Sequence, residues 1–287
     1  MTPHAYGWRP DSPDERDHQY AAPPDVLANL PSRVDLREHC PPVYDQGQLG
    51  SCTANAIAAA VEFERRRQGL SDFVPSRLFI YWNERELEGN VDEDSGAELR
   101  DGIKVVAKTG APPETDWPYD ISKFTLTPPP AAFAAAKLDV ATAYKRVAQT
   151  LGQMRGCLAS GLPFVFGFTV YESFETDQVA QTGIAPMPGP NEQVLGGHAV
   201  MAVGYDDAAQ RFLVRNSWGD GWGMQGYFSL QYAYLTTHGL ASDLWVISQE
   251  SGGSGVQPDH EALLTELVSL LRTDLGEVGG WLERHGL

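Results

Sequence analysis

The chain has little cysteine, little positive charge and no long apolar run, and each shortage closes off a class of protein. Three cysteines in 287 residues, an odd number, do not make a disulfide framework. Cys40 and Cys157 are a pair that could join, but three reduced thiols in a reducing compartment is the simpler expectation. Lysine and arginine total 21 against 38 aspartates and glutamates, and the net charge of -17 argues against nucleic acid or anionic membrane as a partner. No window reaches the ~18 uninterrupted apolar residues of a spanning helix. The opening MTPHAYGWRPDSPDERDHQY carries neither the basic nor the apolar stretch of a secretory leader. A cytoplasmic protein is expected, although signal-independent export would leave no such mark.

What is present is unevenly spread. Residues 1–30 are polar and proline-rich, with Asp11, Asp14, Glu15 and Asp17 clustered. They read as an N-terminal extension, either a solvated surface arm or a short propeptide or blocking segment. Residues 31–250 read as one domain. Within it, Asp45–Phe63 (DQGQLGSCTANAIAAAVEF) sets a single cysteine, Cys52, between a turn-rich loop and an alanine-rich run of good helix propensity. A thiol in the first turn of a helix feels the positive end of its dipole, and Gly47 and Gly50 let the loop bend and bare amides beside the sulfur. A buried structural cysteine is the plain alternative.

Two more helices are predicted over Pro75–Glu88 and Gly96–Lys108. From Leu138 the pattern turns to strands: Leu138–Val147, Phe164–Val170, His198–Tyr205, Arg211–Trp218, Gly226–Leu230 and Leu244–Ile247, with a short helix over Thr150–Ser160. Helices first and antiparallel strands later indicate an α+β fold with a helical lobe and a sheet lobe. Residues 251–258 (SGGSGVQP) form a flexible linker. Residues 259–287 repeat leucine at three- and four-residue spacing, an amphipathic helix that either docks on its own domain or offers an oligomer or partner contact.

A cysteine nucleophile needs a base, a group to orient that base, and donors for the oxyanion. Among the histidines, His198 alone opens a predicted strand, behind Gly196 and Gly197. Asn216 ends the next strand, so adjacent antiparallel strands bring its carboxamide beside His198 and fix the ring without adding charge. Trp218 and Trp222 would shield that contact, or simply pack the core.

With those residues in place, the chain resembles the papain family of cysteine peptidases in its bacterial form. QGQLGSC, GGHAVMAVGYD and VRNSWGDGWGMQGYF carry the resemblance, in that order, across Pro31–Ile247. It implies a two-lobe fold with the active-site cleft between lobes. It also implies Cys52 as nucleophile, His198 as general base and acid, Asn216 as its orienting partner, and Gln46 as a side-chain donor to the oxyanion. Gly96 and Ala97 would form the wall that holds substrate backbone, with Gly197 and Trp218 beside it. Asp243 would lie near the floor of a side-chain pocket, favouring a basic residue, unless it merely caps a turn. No cofactor and no metal are called for. The partner is a peptide or protein substrate.

The pattern has departures. Leu49 stands where the family usually has a disulfide cysteine, and no cysteine occurs near Asp94–Gly96 to pair with it. Thr53 replaces the usual aromatic after the nucleophile. The function expected is an endopeptidase working through an acyl-enzyme. An amidase, transpeptidase or exopeptidase on the same residues, or a non-catalytic peptide-binding module of the same fold, are the rivals.

Overall fold

The computed structural model describes residues 4–250; the linker and amphipathic helix expected over 251–287 lie outside them. Order begins earlier than the polar composition suggests. Trp8–Arg9 (β1) pairs in parallel with Ala97–Glu98 (β4), and Gln19–Tyr20 (β2) pairs in parallel with Ala141–Val147 (β5). The arm is therefore not a solvated strand of chain; apolar Tyr6 and Trp8 give it something to bury. A short helix Pro24–Ala28 (α1) and a strand Arg33–Asp35 (β3) lead to the Cys52 loop.

Helix α2, Cys52–Arg67, follows the loop as expected. Its run of alanines, including Ala54, Ala56 and Ala58 to Ala60, lets it lie close against strands Val194–Asp206 (β7) and Ala241–Glu250 (β10). Buried on nearly every side, it must pair its charges internally. Arg65 meets Asp139 at 2.5 Å, Glu64 meets Arg67 at 2.6 Å and Glu62 meets Arg66 at 2.9 Å. Helix α3, Arg77–Glu88, is capped by the Ser76 side chain and ended by Gly89 in the left-handed conformation. Helix α4 spans Leu99–Lys108 and starts later than predicted, because Gly96 adopts a φ of 67° and the next two residues extend as β4.

Strands β6 (Phe164–Tyr171), β8 (Arg211–Arg215) and β9 (Tyr227–Gln231) complete a sheet of order β2-β5-β10-β6-β7-β8-β9, with β3 on β7. Every pairing but β2 with β5 is antiparallel. Helices α5 (Pro130–Ala136), α6 (Leu151–Ala159), α7 (Asp177–Thr182) and α8 (Tyr232–Thr236) are short connectors. The fold is the α+β arrangement expected, a helical lobe of α2 to α4 against a sheet lobe. His198 does not open its strand: β7 already runs from Val194, so the histidine sits inside it, opposite Phe168 of β6.

Phe168 is fully buried and touches His198, Phe174, Phe228 and Tyr234. Phe168→Ala should therefore cost about 3–5 kcal/mol of stability, read as a lowered thermal midpoint; an unchanged midpoint would mean the sheet lobe can close the hole. Cys40, Cys52 and Cys157 are all free and buried, so the conceivable Cys40–Cys157 bridge does not form. Among the described residues no helix is long and apolar enough to cross a membrane.

Candidate active site

Cys52 begins α2 and His198 lies within β7, so the two come from different lobes. The Cys52 sulfur is faced by the backbone amides of Ala199, which follows His198, of Gly7 and of its own neighbour Thr53. His198 Nε2 lies 2.8 Å from Asn216 Oδ1, which also accepts the Ser217 amide at 2.9 Å. Two donors at that atom identify it as the carboxamide oxygen, which can only accept. His198 therefore carries its neutral-ring proton on Nε2, leaving Nδ1 as the basic nitrogen. Nδ1 is buried and has no hydrogen-bond partner. Trp218 stacks on the imidazole with centroids 4.8 Å apart, and Trp222 meets Trp218 edge-on at 5.0 Å, so water is kept from the His198–Asn216 bond.

Gln46 is buried and its amide is likewise oriented: Ser217 Oγ donates to Oε1 at 2.6 Å. That turns Nε2 outward to donate to the carbonyls of Leu49 at 3.0 Å and Ala5 at 3.2 Å. The carbonyl of Ala5 thus occupies an acceptor's place at Gln46 Nε2.

Ala5 belongs to the N-terminal arm, and the arm fills the cleft. His4 stacks on Trp218 with centroids 3.7 Å apart and reaches Glu175 at 3.1 Å, while the Tyr6 hydroxyl donates to the same carboxylate. The Ala97 amide donates to the Gly7 carbonyl at 2.7 Å. The Trp8 ring lies so close to Gly167 and Gly197 that a Cβ on them would fall 1.8 Å and 2.7 Å from it, respectively. A Cβ on Gly96 would meet the Gly7 oxygen at 2.0 Å. Asp243 accepts the Asp11 amide at 2.8 Å. Every residue expected to hold substrate (Gly96, Ala97, Gly197, Trp218 and Asp243) touches this segment.

Burial beneath the arm decides the protonation states. It pushes the Cys52 thiol up to about 11 and the His198 imidazole down to about 4. The closed site therefore holds a neutral thiol and a neutral imidazole, where the loop and dipole favoured a thiolate. Nor do the loop glycines bare their amides to the sulfur. Gly47 donates to Asp45 at 2.8 Å, and Gly50 donates to Asp94 at 3.0 Å. The latter bond ties together the two loops whose disulfide cysteines are missing. Asp243 is salt-bridged to Arg146 at 2.6 Å, so no bare carboxylate waits for a basic residue.

A family model of the papain family cysteine protease matches residues 30–246. This chain belongs to the papain family. It is a cysteine peptidase, a hydrolase of peptide bonds. An uncharacterised peptidase C1-like protein of Acanthamoeba polyphaga mimivirus is 48% identical over 214 residues, covering 71% of this chain and 69% of the viral one. A cathepsin B-like protein of Giardia intestinalis is 31% identical over 214 residues, covering 70% and 69%. Among solved structures, xylellain, a cysteine protease from Xylella fastidiosa, superposes with a TM-score of 0.80 at 46% identity, covering 86% of this chain and 96% of that one. Its bacterial origin agrees with the form of the papain family that the motifs indicated.

Sequence reasoning passed over Ser217, Glu175, Tyr6 and Trp8. Ser217 sits inside NSWGDGWG with no signal of its own. The arm did carry one: His4, Tyr6 and Trp8 are aromatic rings in an otherwise polar segment, more than a solvated tail requires.

Proposed function

We propose that this cysteine peptidase is an endopeptidase held latent by its own arm. The course of residues 4–11 supports that reading: His4 lies on Trp218 on one side of the Ala5 carbonyl, and Gly7 and Trp8 lie on Ala97 and Gly197 on the other, so an extended chain is held on either side of that carbonyl. Once the arm leaves, substrate carbonyl takes the place of Ala5. The Cys52 sulfur attacks the carbonyl carbon and its proton passes to His198 Nδ1. Gln46 Nε2 and the Cys52 amide hold the oxyanion. His198 returns that proton to the leaving nitrogen, the C–N bond breaks, and the acyl group stays on sulfur. Water then attacks, giving a proton to His198, and the C–S bond breaks to release acid and restore the thiol.

The reading is tested with a peptide blocked at both ends. Internal cleavage, identified by fragment mass, is expected; trimming of unblocked termini alone would make the protein an exopeptidase. The orienting role of Asn216 gives a second expectation. Asn216→Ala should lower kcat roughly 10- to 100-fold, and His198→Ala at least about 1,000-fold. Equal losses would argue that Asn216 does more than hold the ring.

Beyond the cleft the arm is anchored by charge. Asp11 accepts from the Arg100 amide and the Trp245 indole, each at 2.9 Å, and meets Arg146 at 3.3 Å. Asp17 bridges Arg100 at 2.5 Å and Arg146 at 3.2 Å. Burial first, then Asp243, push the Asp11 carboxyl up to about 6, whereas a released arm would return it to about 3.9. At Asp11 the closed arm binds more protons than the free arm between about pH 4 and 6, so this group by itself tightens closure on acidification, while His198, lowered to about 4 in the closed site, binds fewer over the same range and opposes it. Hydrogen-exchange protection of the Ala97 amide, corrected for intrinsic rate, should fall more steeply from neutral pH to about pH 5 in Asp11→Asn than in wild type, because only His198 then titrates with closure. The same pH dependence in both proteins would remove Asp11 from the closure, and a shallower one in Asp11→Asn would reverse the sign assigned to it.

A further inference from the structure

Thr53, where an aromatic was expected, hides its side chain completely and donates from Oγ1 to Glu84 Oε2 at 2.8 Å. Glu84 belongs to α3 and is itself fully buried. Its second oxygen, Oε1, has no partner, and the carboxyl is in none of the salt bridges formed by the described residues. The adjacent Arg85 turns its guanidinium to the carbonyls of Tyr81, Val91, Glu93 and Phe124 instead. Helix α4 closes the site from the third side. A Cβ at Gly102 would fall 2.2 Å from Glu84 Oε1, so water has no room there. The charged groups around it are Arg85 and Glu88 on α3 and Asp101 on α4, and Cys52 on α2 is near enough to feel a charge there.

A carboxylate in such a place, with one hydroxyl donor and two acidic neighbours, would be an uncompensated buried charge. We infer that Glu84 is held as an un-ionised carboxylic acid under the first turn of α2, and that through Thr53 it positions Cys52 without opposing its ionisation. A charge at Glu84 would raise the thiol of Cys52 and so quiet the nucleophile; a neutral carboxyl keeps the hydrogen bond and removes the field. Burial first, then Glu88 and Asp101, push the Glu84 carboxyl upward, against the pull of Thr53 and Arg85. This places a non-reacting, ionisable positioning residue beneath the nucleophile. It rests on Cys52 being that nucleophile, which Cys52→Ala tests separately.

The direct readout is the infrared carbonyl band of a protonated carboxyl, recorded on the full chain at neutral pH. The band should be present in wild type and absent from Glu84→Gln. No difference between the two spectra would show that Glu84 is ionised and overturn the inference. The second readout is the pH profile of Cys52 alkylation by iodoacetamide, again on full chains, since the arm is common to all. Glu84→Gln keeps a neutral group and should match wild type within about twofold through neutral pH. A downward shift of its alkylation midpoint by about one unit would mean that a charge had been removed, the opposite of what we infer. Thr53→Val should lower kcat about tenfold with KM little changed, and Thr53→Ser should restore it. An unchanged kcat in Thr53→Val would remove the positioning role.

Discussion

Deleting residues 1–10 should raise kcat/KM on a short peptide by at least about tenfold, equivalent to a closed arm favoured by about 1.4 kcal/mol or more. The deletion removes Tyr6, Gly7 and Trp8 but leaves Asp11, Asp17 and β2 in place, so the sheet edge survives. Arm and substrate compete for the same wall at Ala97 and the same donor at Gln46. The gain should therefore appear mainly as a lower KM, because saturating substrate displaces the arm even from the full chain. A single substitution should reproduce much of it. Gly7 passes so close to the loop before Cys52 that a Cβ there would lie 1.6 Å from the Gly50 carbonyl oxygen, a backbone atom that cannot swing aside. Gly7→Ala should expel the arm with the rest of the chain intact. If both variants match wild type in KM, the arm leaves the cleft freely and latency is not its role.

Cys52→Ala should lose roughly 10⁶ in kcat, the scale on which removal of a hydrolytic nucleophile falls, and should no longer be labelled by a thiol-directed epoxide. The label should be selective. Burial raises the thiols of Cys40 and Cys157 as well, Cys40 to about 11, and neither lies in the cleft. In the full chain labelling should also be slow, since the closed arm holds Cys52 at about 11 beside an imidazole lowered to about 4. Removing residues 1–10 returns both groups to water and should speed labelling; persistent turnover in Cys52→Ala would remove the cysteine from the chemistry altogether.

Much of the site was legible because it is written in local chemistry. A lone cysteine between glycines and an alanine-rich helix, a histidine behind two glycines, and an asparagine before a tryptophan each satisfy a demand of thiol catalysis. Gln46 was assigned through the resemblance; the structure buries it and turns its amide by a hydrogen bond from Ser217. The helix boundaries held where capping residues marked them, as at Ser76 and Thr150. They slipped at Gly96, where left-handed backbone serves the cleft wall more than the helix.

The sequence by itself determined the family, the α+β division into lobes, and the set of residues able to do thiol chemistry, because motif spacing and side-chain pattern are properties of the chain. Tertiary structure alone decided three things. It put residues 4–11 into the cleft, since the contacts of Tyr6 and Trp8 join positions far apart in sequence. It neutralised Cys52 and His198, since desolvation depends on what covers them. It buried Glu84 without a cation, since only the packing of α2, α3 and α4 determines whether a carboxyl meets water or a hydroxyl.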